Sequence, residues 1–126
     1  MIESILQSVK EMIGVPGSVD SFDTELIIII NSIFSALEQI GVGPDNGFSI
    51  EDDTTLWNEY LDDSALLGFV KPYISLKTKL MFDPPTSTAI ADAMNRQISE
   101  FEWRINVFVD LKNKDTEVIT NDLYEI

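Results

Sequence analysis

The chain contains no cysteine and no histidine. Without cysteine, disulfides and thiolate metal sites are excluded, and the redox compartment cannot be inferred. Without histidine, the chain lacks the usual proton shuttle near neutral pH and the commonest metal ligand. Acid–base chemistry would fall to carboxylates, lysine or tyrosine, and no set of nucleophile, base and orienting group is readable. We therefore expect no enzyme activity, no cofactor and no metal.

Long hydrophobic runs are also absent. The longest, Leu26–Ile30, falls far short of the roughly 20 residues that span a bilayer. The first residues lack a basic region followed by an apolar segment, so no secretory signal is expected. The 126 residues fit one domain, and a hydrophobic content of 44% argues against disorder. We expect a soluble intracellular product that makes no membrane contact.

Positive charge is scarce and unevenly distributed. The chain has 8 basic and 22 acidic residues, for a net charge of −14. Residues 1–70 hold 13 acids and one base, whereas residues 71–105 hold four acids and five bases. Such a surface should repel a nucleic-acid backbone rather than bind it. The simplest interpretation of the net charge is ordinary solubility, but its distribution indicates two unlike regions.

Helical periodicity dominates the first 41 residues. A first helix is predicted over residues 1–13, ended by Gly14 and Pro16, with its apolar stripe at Ile2, Ile5, Leu6, Val9, Met12 and Ile13. A second is predicted from Asp20 or Ser21 to Gly41. Ile28 falls nearly opposite the main apolar face of this second helix, so the helix should be central or face a second chain. The β-branched run is also compatible with a strand, although the helical period of its flanks favours a helix.

A third long helix is predicted from residues 62–64 to Phe82, after a short helical turn around residues 56–61. Its stripe comprises Leu66, Leu67, Val70, Tyr73, Ile74, Leu80 and Met81. Lys77 projects from the middle of this stripe. Its stem must therefore run along apolar surface to water, or its ammonium must meet a carboxylate.

The segment Phe82-Asp83-Pro84-Pro85 predicts a hard stop, because two successive prolines remove two backbone donors. A fourth helix then starts near Ser87, capped by Thr86 or Ser87. Its predicted buried residues are Ile90, Met94, Ile98, Phe101 and Ile105. Trp103 points nearly the opposite way. It either forms part of an interface, where aromatic residues are enriched, or packs under a loop or the C-terminal tail.

The remaining segments are a polar loop and a tail. Residues 41–55 are rich in turn formers and acids. Residues 110–126 are polar, with a possible strand at Thr116–Thr120. The predicted fold is mainly α: an antiparallel bundle of about four helices with an acidic loop and an extended C-terminal tail. We expect a helical domain over residues 1–109 and a tail over residues 110–126.

The run from Tyr73 to Val107 resembles the signature of the head–tail connector proteins of long-tailed bacteriophages, also called head-completion or adaptor proteins. The similar features are a tyrosine-containing helix, a basic pair (Lys77 and Lys79), the Phe82–Pro85 break, and the Glu102–Asn106 motif Glu-Trp-Arg-Ile-Asn. The N-terminal part is similar in character, including Asn31 and the Leu37–Gly43 stretch. The resemblance covers about residues 1–107.

This resemblance implies a small structural virion protein without catalytic residues. Such proteins assemble as a ring, typically a dodecamer, below the portal of the filled capsid. The ring prolongs the DNA channel and presents a surface to the next neck protein on the tail side. The expected partners are therefore the chain itself, the portal protein and that neck protein, with DNA passing through without specific binding. The expected location is the head–tail junction of the virion, after synthesis in the host cytoplasm.

The charge split predicts how subunits meet. Acids of residues 45–63 in one copy would contact the basic region 71–104 of its neighbour, in head-to-tail packing closed into a ring. The candidate interface residues are Lys71, Lys77, Lys79, Arg96, Trp103, Arg104, Ile28, Asp52, Asp53, Asp62 and Asp63, with Phe82, Asp83, Pro84 and Pro85 as a structural turn.

Two rival functions remain open from the sequence. An acidic protein could mimic DNA and occupy a DNA-binding host protein, but this function gives no reason for the basic hairpin or the Phe82–Pro85 break. A carboxylate-based hydrolase could use the pairs Asp52-Asp53 or Asp62-Asp63. Neighbouring acids in an acidic loop are usually solvated, which disfavours this alternative.

Overall fold

The computed structural model describes the backbone of residues 3–124 and the side chains of residues 3–114. Five helices lie in this range: α1 (Ile5–Ile13), α2 (Asp23–Gln39), α3 (Trp57–Tyr60), α4 (Ser64–Phe82) and α5 (Thr88–Tyr124). No strand occurs within residues 3–124; the nearest approach is an isolated bridge between Ser4 and Leu56. The mainly helical fold predicted from the sequence is thus confirmed, and the β-branched run in α2 is helical.

Helix α4 lies at the centre of the fold. It packs against α5, α2 and α1. The core that these contacts enclose is apolar and almost fully buried, with Leu26, Ile30, Val70, Ile74 and Ile105 all at 0% exposure. The helix continues through Pro72, and the nearby residues Val70 and Tyr73 are both buried.

The helix ends follow local side-chain chemistry. Ser4 accepts a hydrogen bond from the amide of Gln7 at 3.2 Å and so caps α1, whereas Gly14 ends that helix with a φ of 86°. Asp63 caps α4 by accepting from the amides of Ala65 and Leu66. Helix α1 therefore starts later than residue 1, because the Ser4 cap defines its first turn; Met1 and Ile2 lie outside the described residues.

Three residues assigned to apolar stripes are exposed instead. Met12 is 66% exposed, because the buried face of α1 is rotated toward Lys10, which is fully buried. Met81 and Ile90 are 56% and 55% exposed. Both lie close to the α4–α5 turn, whereas the buried positions of the hairpin run only to Thr78 and resume at Ile98.

The predicted extended tail is wrong as far as the structure describes it. Helix α5 continues to Tyr124, so the segment 116–120 is helical and not a strand. The sequence supplies the physical reason: residues 86–126 contain no glycine or proline, the two residues that most strongly end a helix. The division into residues 1–109 and 110–126 stays a prediction, and α5 crosses that boundary without a break; residues 125 and 126 lie outside the described range.

Candidate functional site

The α4–α5 turn is built by the Phe82–Pro85 segment. Asp83 caps α4, with its amide donating to the carbonyl of Lys79 at 2.9 Å and its carboxylate accepting from the Lys79 ammonium at 2.6 Å. The Phe82 ring meets the ring of Phe22 edge to face, with centroids 5.3 Å apart. Ser87 then caps α5 by accepting from the amide of Ile90. Through the ring contact of Phe82, the turn packs against the start of α2.

Across the hairpin, Tyr73 links the two long helices. Its hydroxyl donates to the carboxylate of Glu102 at 3.1 Å and accepts from the ammonium of Lys77 at 3.2 Å. The Lys77 nitrogen also lies 5.2 Å from the centroid of the Tyr73 ring. Burial raises the pKa of Tyr73, and the hydrogen bond from Lys77 opposes that shift. The ammonium of Lys77 is thus hydrogen-bonded to the Tyr73 hydroxyl, and that hydroxyl in turn is bonded to the Glu102 carboxylate. Lys77 therefore reaches a carboxylate only through Tyr73.

The other basic candidates lie at the surface, most of them with partners in the same chain. Lys71 contacts Glu3 at 3.5 Å and lies 5.5 Å from the Trp57 ring centroid. Arg104 donates to Glu100, one turn away in α5, at 2.9 Å. Within the part of the chain that the structure describes, Arg96 is exposed and makes no hydrogen bond or ion pair. These exposed pairs are individually weak and can be exchanged for contacts to a partner.

The acidic candidates have local roles as well. Asp52 accepts from the hydroxyl and the amide of Thr54, and these two hydrogen bonds lower its pKa. Asp53 accepts from the side chain of Gln7 at 3.2 Å. Asp63 is the α4 cap, whereas Asp62 is exposed beside it. The four acids lie along one stretch from the acidic loop to the start of α4, and within the described residues none of them forms an ion pair with the basic candidates of residues 71–104. Lys112 lines the same hollow as Asp62 and Asp63.

The acidic loop is held to α2 by Asn31. Its side-chain amide donates to the carbonyl of Ile50 at 2.9 Å, and its side-chain oxygen accepts from the amide of Ile50 at 2.8 Å. Ile50 is 2% exposed, so this double hydrogen bond is largely protected from water. Next to it, the rings of Phe34, Phe48 and Tyr60 pack together with centroids 4.5–5.1 Å apart. The loop between α2 and α3 is consequently an ordered part of the domain.

One buried charge was not foreseen from the sequence. The Lys10 side chain has 0% exposure and donates to Asp23 at 2.8 Å and to the carbonyls of Gly17 and Val19. It thereby fixes the loop that joins α1 to α2. A signal was present: Lys10 is the only base in the first 70 residues, and it lies between the core residues Leu6 and Ile13 at helical spacing.

Two large apolar candidates are exposed on different helices. Ile28 of α2 is 65% exposed, and Trp103 of α5 is 62% exposed. The position of Ile28 opposite the buried face of α2 is as predicted. Trp103 does not pack under a loop, and the Arg104 guanidinium lies at 6.0 Å from its ring centroid. Large exposed apolar side chains with a neighbouring arginine are typical of protein–protein contacts.

No helix within the described residues is apolar over a sufficient length to cross a membrane. In that same range, no group of three or more acidic, histidine or cysteine side chains comes together in a way that could hold a metal ion. What the residues do present is a rigid helical bundle with charged, aromatic and aliphatic side chains at its surface. Aromatic and arginine side chains at a surface are enriched where proteins contact other macromolecules.

The family model described as Phage connector protein matches residues 5–112. The match takes in α1 to α4 and more than half of α5. The chain therefore belongs to the phage connector protein family, a family of structural proteins at the head–tail junction of phages. No curated protein and no solved structure matches the chain.

Proposed function

We propose that this protein forms a ring-shaped adaptor between the portal of the DNA-filled capsid and the tail, and that the ring extends the DNA channel. The observation that carries the proposal is the family match over residues 5–112. The ring contacts the portal protein on one side and the next neck protein on the other. Its role in the virion is structural.

The charge of the chain supports a channel through which DNA slides. At a net charge of −14, the surface offers few cations that could displace the counterions condensed on DNA. DNA that passes such a lining is repelled at short range and is not held at any one position. An adaptor of this composition can surround the genome without trapping it.

Opposite charge on two regions of the chain supports head-to-tail packing. The acids of residues 45–63 lie on the α2–α4 segment, and the basic region 71–104 lies on the α4–α5 hairpin. Lys71→Glu together with Lys79→Glu should therefore block ring formation while leaving the monomer folded. A control for added negative charge is Met12→Glu, at an exposed position of α1 outside both charged regions, which should leave assembly intact. Assembly of the double variant at the parental concentration would refute this contact.

The decisive experiment combines solution mass with capsid reconstitution. Light scattering across a concentration series reports self-association, and addition of the protein to filled, tail-less capsids allows the portal vertex to be imaged. Rings, or density at the vertex only when the protein is added, support the adaptor. A strict monomer that leaves the vertex unchanged would count against it, and salt-sensitive binding to a DNA-binding host protein would then favour a DNA-mimic function.

A further inference from the structure

Helices α2 and α5 present two unlike outer surfaces, and within the described residues each of these helices packs on α4 far more than on the other. Ile28 lies on the face of α2 that points away from the core, and Trp103 lies on the exposed side of α5. Helix α4 packs against both α5 and α2. A closed ring needs two different surfaces on each subunit, arranged so that one meets the other in the next copy.

The outer face of α5 carries an apolar stripe, which we call the Trp103 stripe. It comprises Trp103, Val107 and Leu111, spaced four residues apart and therefore aligned along one side of the helix. Trp103 and Leu111 are 62% and 57% exposed. With Phe69 of α4 and Phe108 of α5, the stripe lines a shallow hollow of about 240 Å³. Phe69, Val107 and Phe108 are half-buried, so the hollow joins them to the exposed Trp103 and Leu111 in one apolar surface.

The outer face of α2 is different in shape, and we call it the Ile28 face. Ile28 is a large apolar side chain on this face, followed at helical spacing by Ser32 and Ser35, which are both exposed. The two serine hydroxyls donate to backbone carbonyls of α2, that of Ile29 at 2.6 Å and that of Asn31 at 3.2 Å. Because these hydroxyls already have partners, an apolar surface can cover this face at little cost in lost hydrogen bonds.

The charges beside the two surfaces are complementary. Arg96, two turns before Trp103 on the same side of α5, is exposed and has no partner within the described residues. Arg104 adjoins Trp103 and shares its charge with Glu100 in an exposed pair. The Ile28 face has the exposed Glu25 one turn before Ile28 and no base anywhere in α2. Positive charge beside a large apolar stripe thus matches negative charge beside a face of small side chains.

From these observations we infer that the Trp103 stripe of one copy packs against the Ile28 face of the next copy. The inference rests on the proposed ring and names the surfaces that close it. The large indole of Trp103 fills the space left by the small side chains Ser32 and Ser35, and Arg96 and Arg104 reach toward Glu25. Because the two surfaces are unlike, the contact is head to tail and leaves one free surface of each kind on an open oligomer.

Complementation between two variants tests the contact. Trp103→Glu removes the stripe, and Ile28→Glu removes the face; both side chains are exposed, so both variants should keep the parental circular dichroism and urea midpoint. Each variant alone should self-associate at least about thirtyfold more weakly than the parent, as expected for the loss of a central interface residue. An equimolar mixture should form a one-to-one heterodimer and nothing larger, because only one intact pair of surfaces remains. Sedimentation velocity distinguishes these species.

Met12→Glu provides a matched control, because Met12 is 66% exposed, close to the 65% of Ile28, but lies on α1. This variant should assemble as the parent does. Loss of assembly in the control, assembly of either test variant at parental strength, or a mixture that stays monomeric would each overturn the inference. If the parent still assembles in these cases, the ring proposal stands and only its interface is wrong.

If the parent protein is monomeric in solution, the same contact is tested by crosslinking after the protein has bound to the capsid. The chain has no cysteine, so Ile28→Cys combined with Trp103→Cys introduces the only thiols. Crosslinking at the vertex should give a ladder of oligomers, whereas each single cysteine should give none beyond a dimer. Vertex density without a ladder would overturn the inference alone. Absence of the parent from the vertex would overturn both the inference and the proposed function.

Discussion

The N-terminal part of the chain, residues 3–61, and the α4–α5 hairpin use their polar side chains in different ways. In the N-terminal part, buried or half-buried groups such as Lys10 and Asn31 hold loops to helices. In the hairpin, the pairs Lys79–Asp83 and Arg104–Glu100 lie at the surface within one helical turn. The first arrangement stabilises the monomer, whereas the second leaves charges that a partner can recruit. Three pairs of matched substitutions measure this difference.

The lysine pair should give the largest contrast. Lys10→Met keeps the volume of the side chain but leaves two carbonyls and Asp23 without their cation, so we expect a loss of about 3 kcal/mol in the free energy of unfolding. Lys79→Met removes an exposed ion pair and should cost at most about 1 kcal/mol. Urea unfolding measures both. Equal losses would show that the buried ammonium of Lys10 adds nothing beyond a surface contact.

The asparagine pair should give the next largest contrast. Asn31→Ala leaves both the amide and the carbonyl of Ile50 without a partner in a buried setting, and should cost about 2 kcal/mol. Asn95→Ala removes an exposed hydrogen bond to the carbonyl of Ala91 within α5 and should change stability by less than about 0.5 kcal/mol. Amide hydrogen exchange at Ile50 provides a second measurement. Undiminished protection of that amide in Asn31→Ala would contradict the anchoring role of Asn31.

For the tyrosine pair, the substitution in the hairpin should cost more stability than the one in the N-terminal part. The buried hydroxyl of Tyr60 has no hydrogen-bond partner among the described residues, so Tyr60→Phe should leave stability unchanged or raise it by about 1 kcal/mol. Tyr73→Phe breaks the link to Glu102 and Lys77 and should cost about 1 kcal/mol. A loss of stability in Tyr60→Phe would indicate a partner for that hydroxyl.

These tyrosines also set the response to alkaline pH. Burial raises the pKa of both above the usual tyrosine value of about 10. The folded state then holds the phenolic proton more tightly than the unfolded chain, so the stabilisation is complete below about pH 10 and is lost as pH rises further. Tyr60→Phe should therefore lose less stability between pH 9 and pH 11 than the parent, by denaturant unfolding at each pH. An identical loss in both proteins would exclude Tyr60 as a contributor.

Much of the fold follows from local signals in the sequence. Gly14 and the two prolines after Asp83 end α1 and α4 where expected, because each acts through the backbone within a few residues. Ile28 and Trp103 are exposed as their helical positions indicate. The stripe assignments of Met12, Met81 and Ile90 were wrong. Met12 lost its place on the buried face to Lys10. For Met81 and Ile90, periodicity gives the apolar side of a helix but not how far the neighbouring helices extend along it.

The features that could not be foreseen depend on non-local contacts. The partners of Lys10 are two loop carbonyls and a residue of the next helix, and no periodic pattern places those atoms around one ammonium. The double hydrogen bond of Asn31 spans 19 positions, and the Tyr73–Glu102 contact spans 29. For α5, the low apolar content of residues 110–124 suggested an extended tail, but continuity of the helix outweighed that composition.

The central position of α4 also has a mechanical consequence. Helix α5 packs mainly on α4, and α4 in turn packs on α1 and α2, so the hairpin and the N-terminal helices are connected in series. A pull or twist applied to α5 reaches the rest of the domain chiefly through α4 and its contacts, including the Tyr73–Glu102 hydrogen bond. The stiffness of the whole subunit therefore depends on how firmly α4 is held by its neighbours.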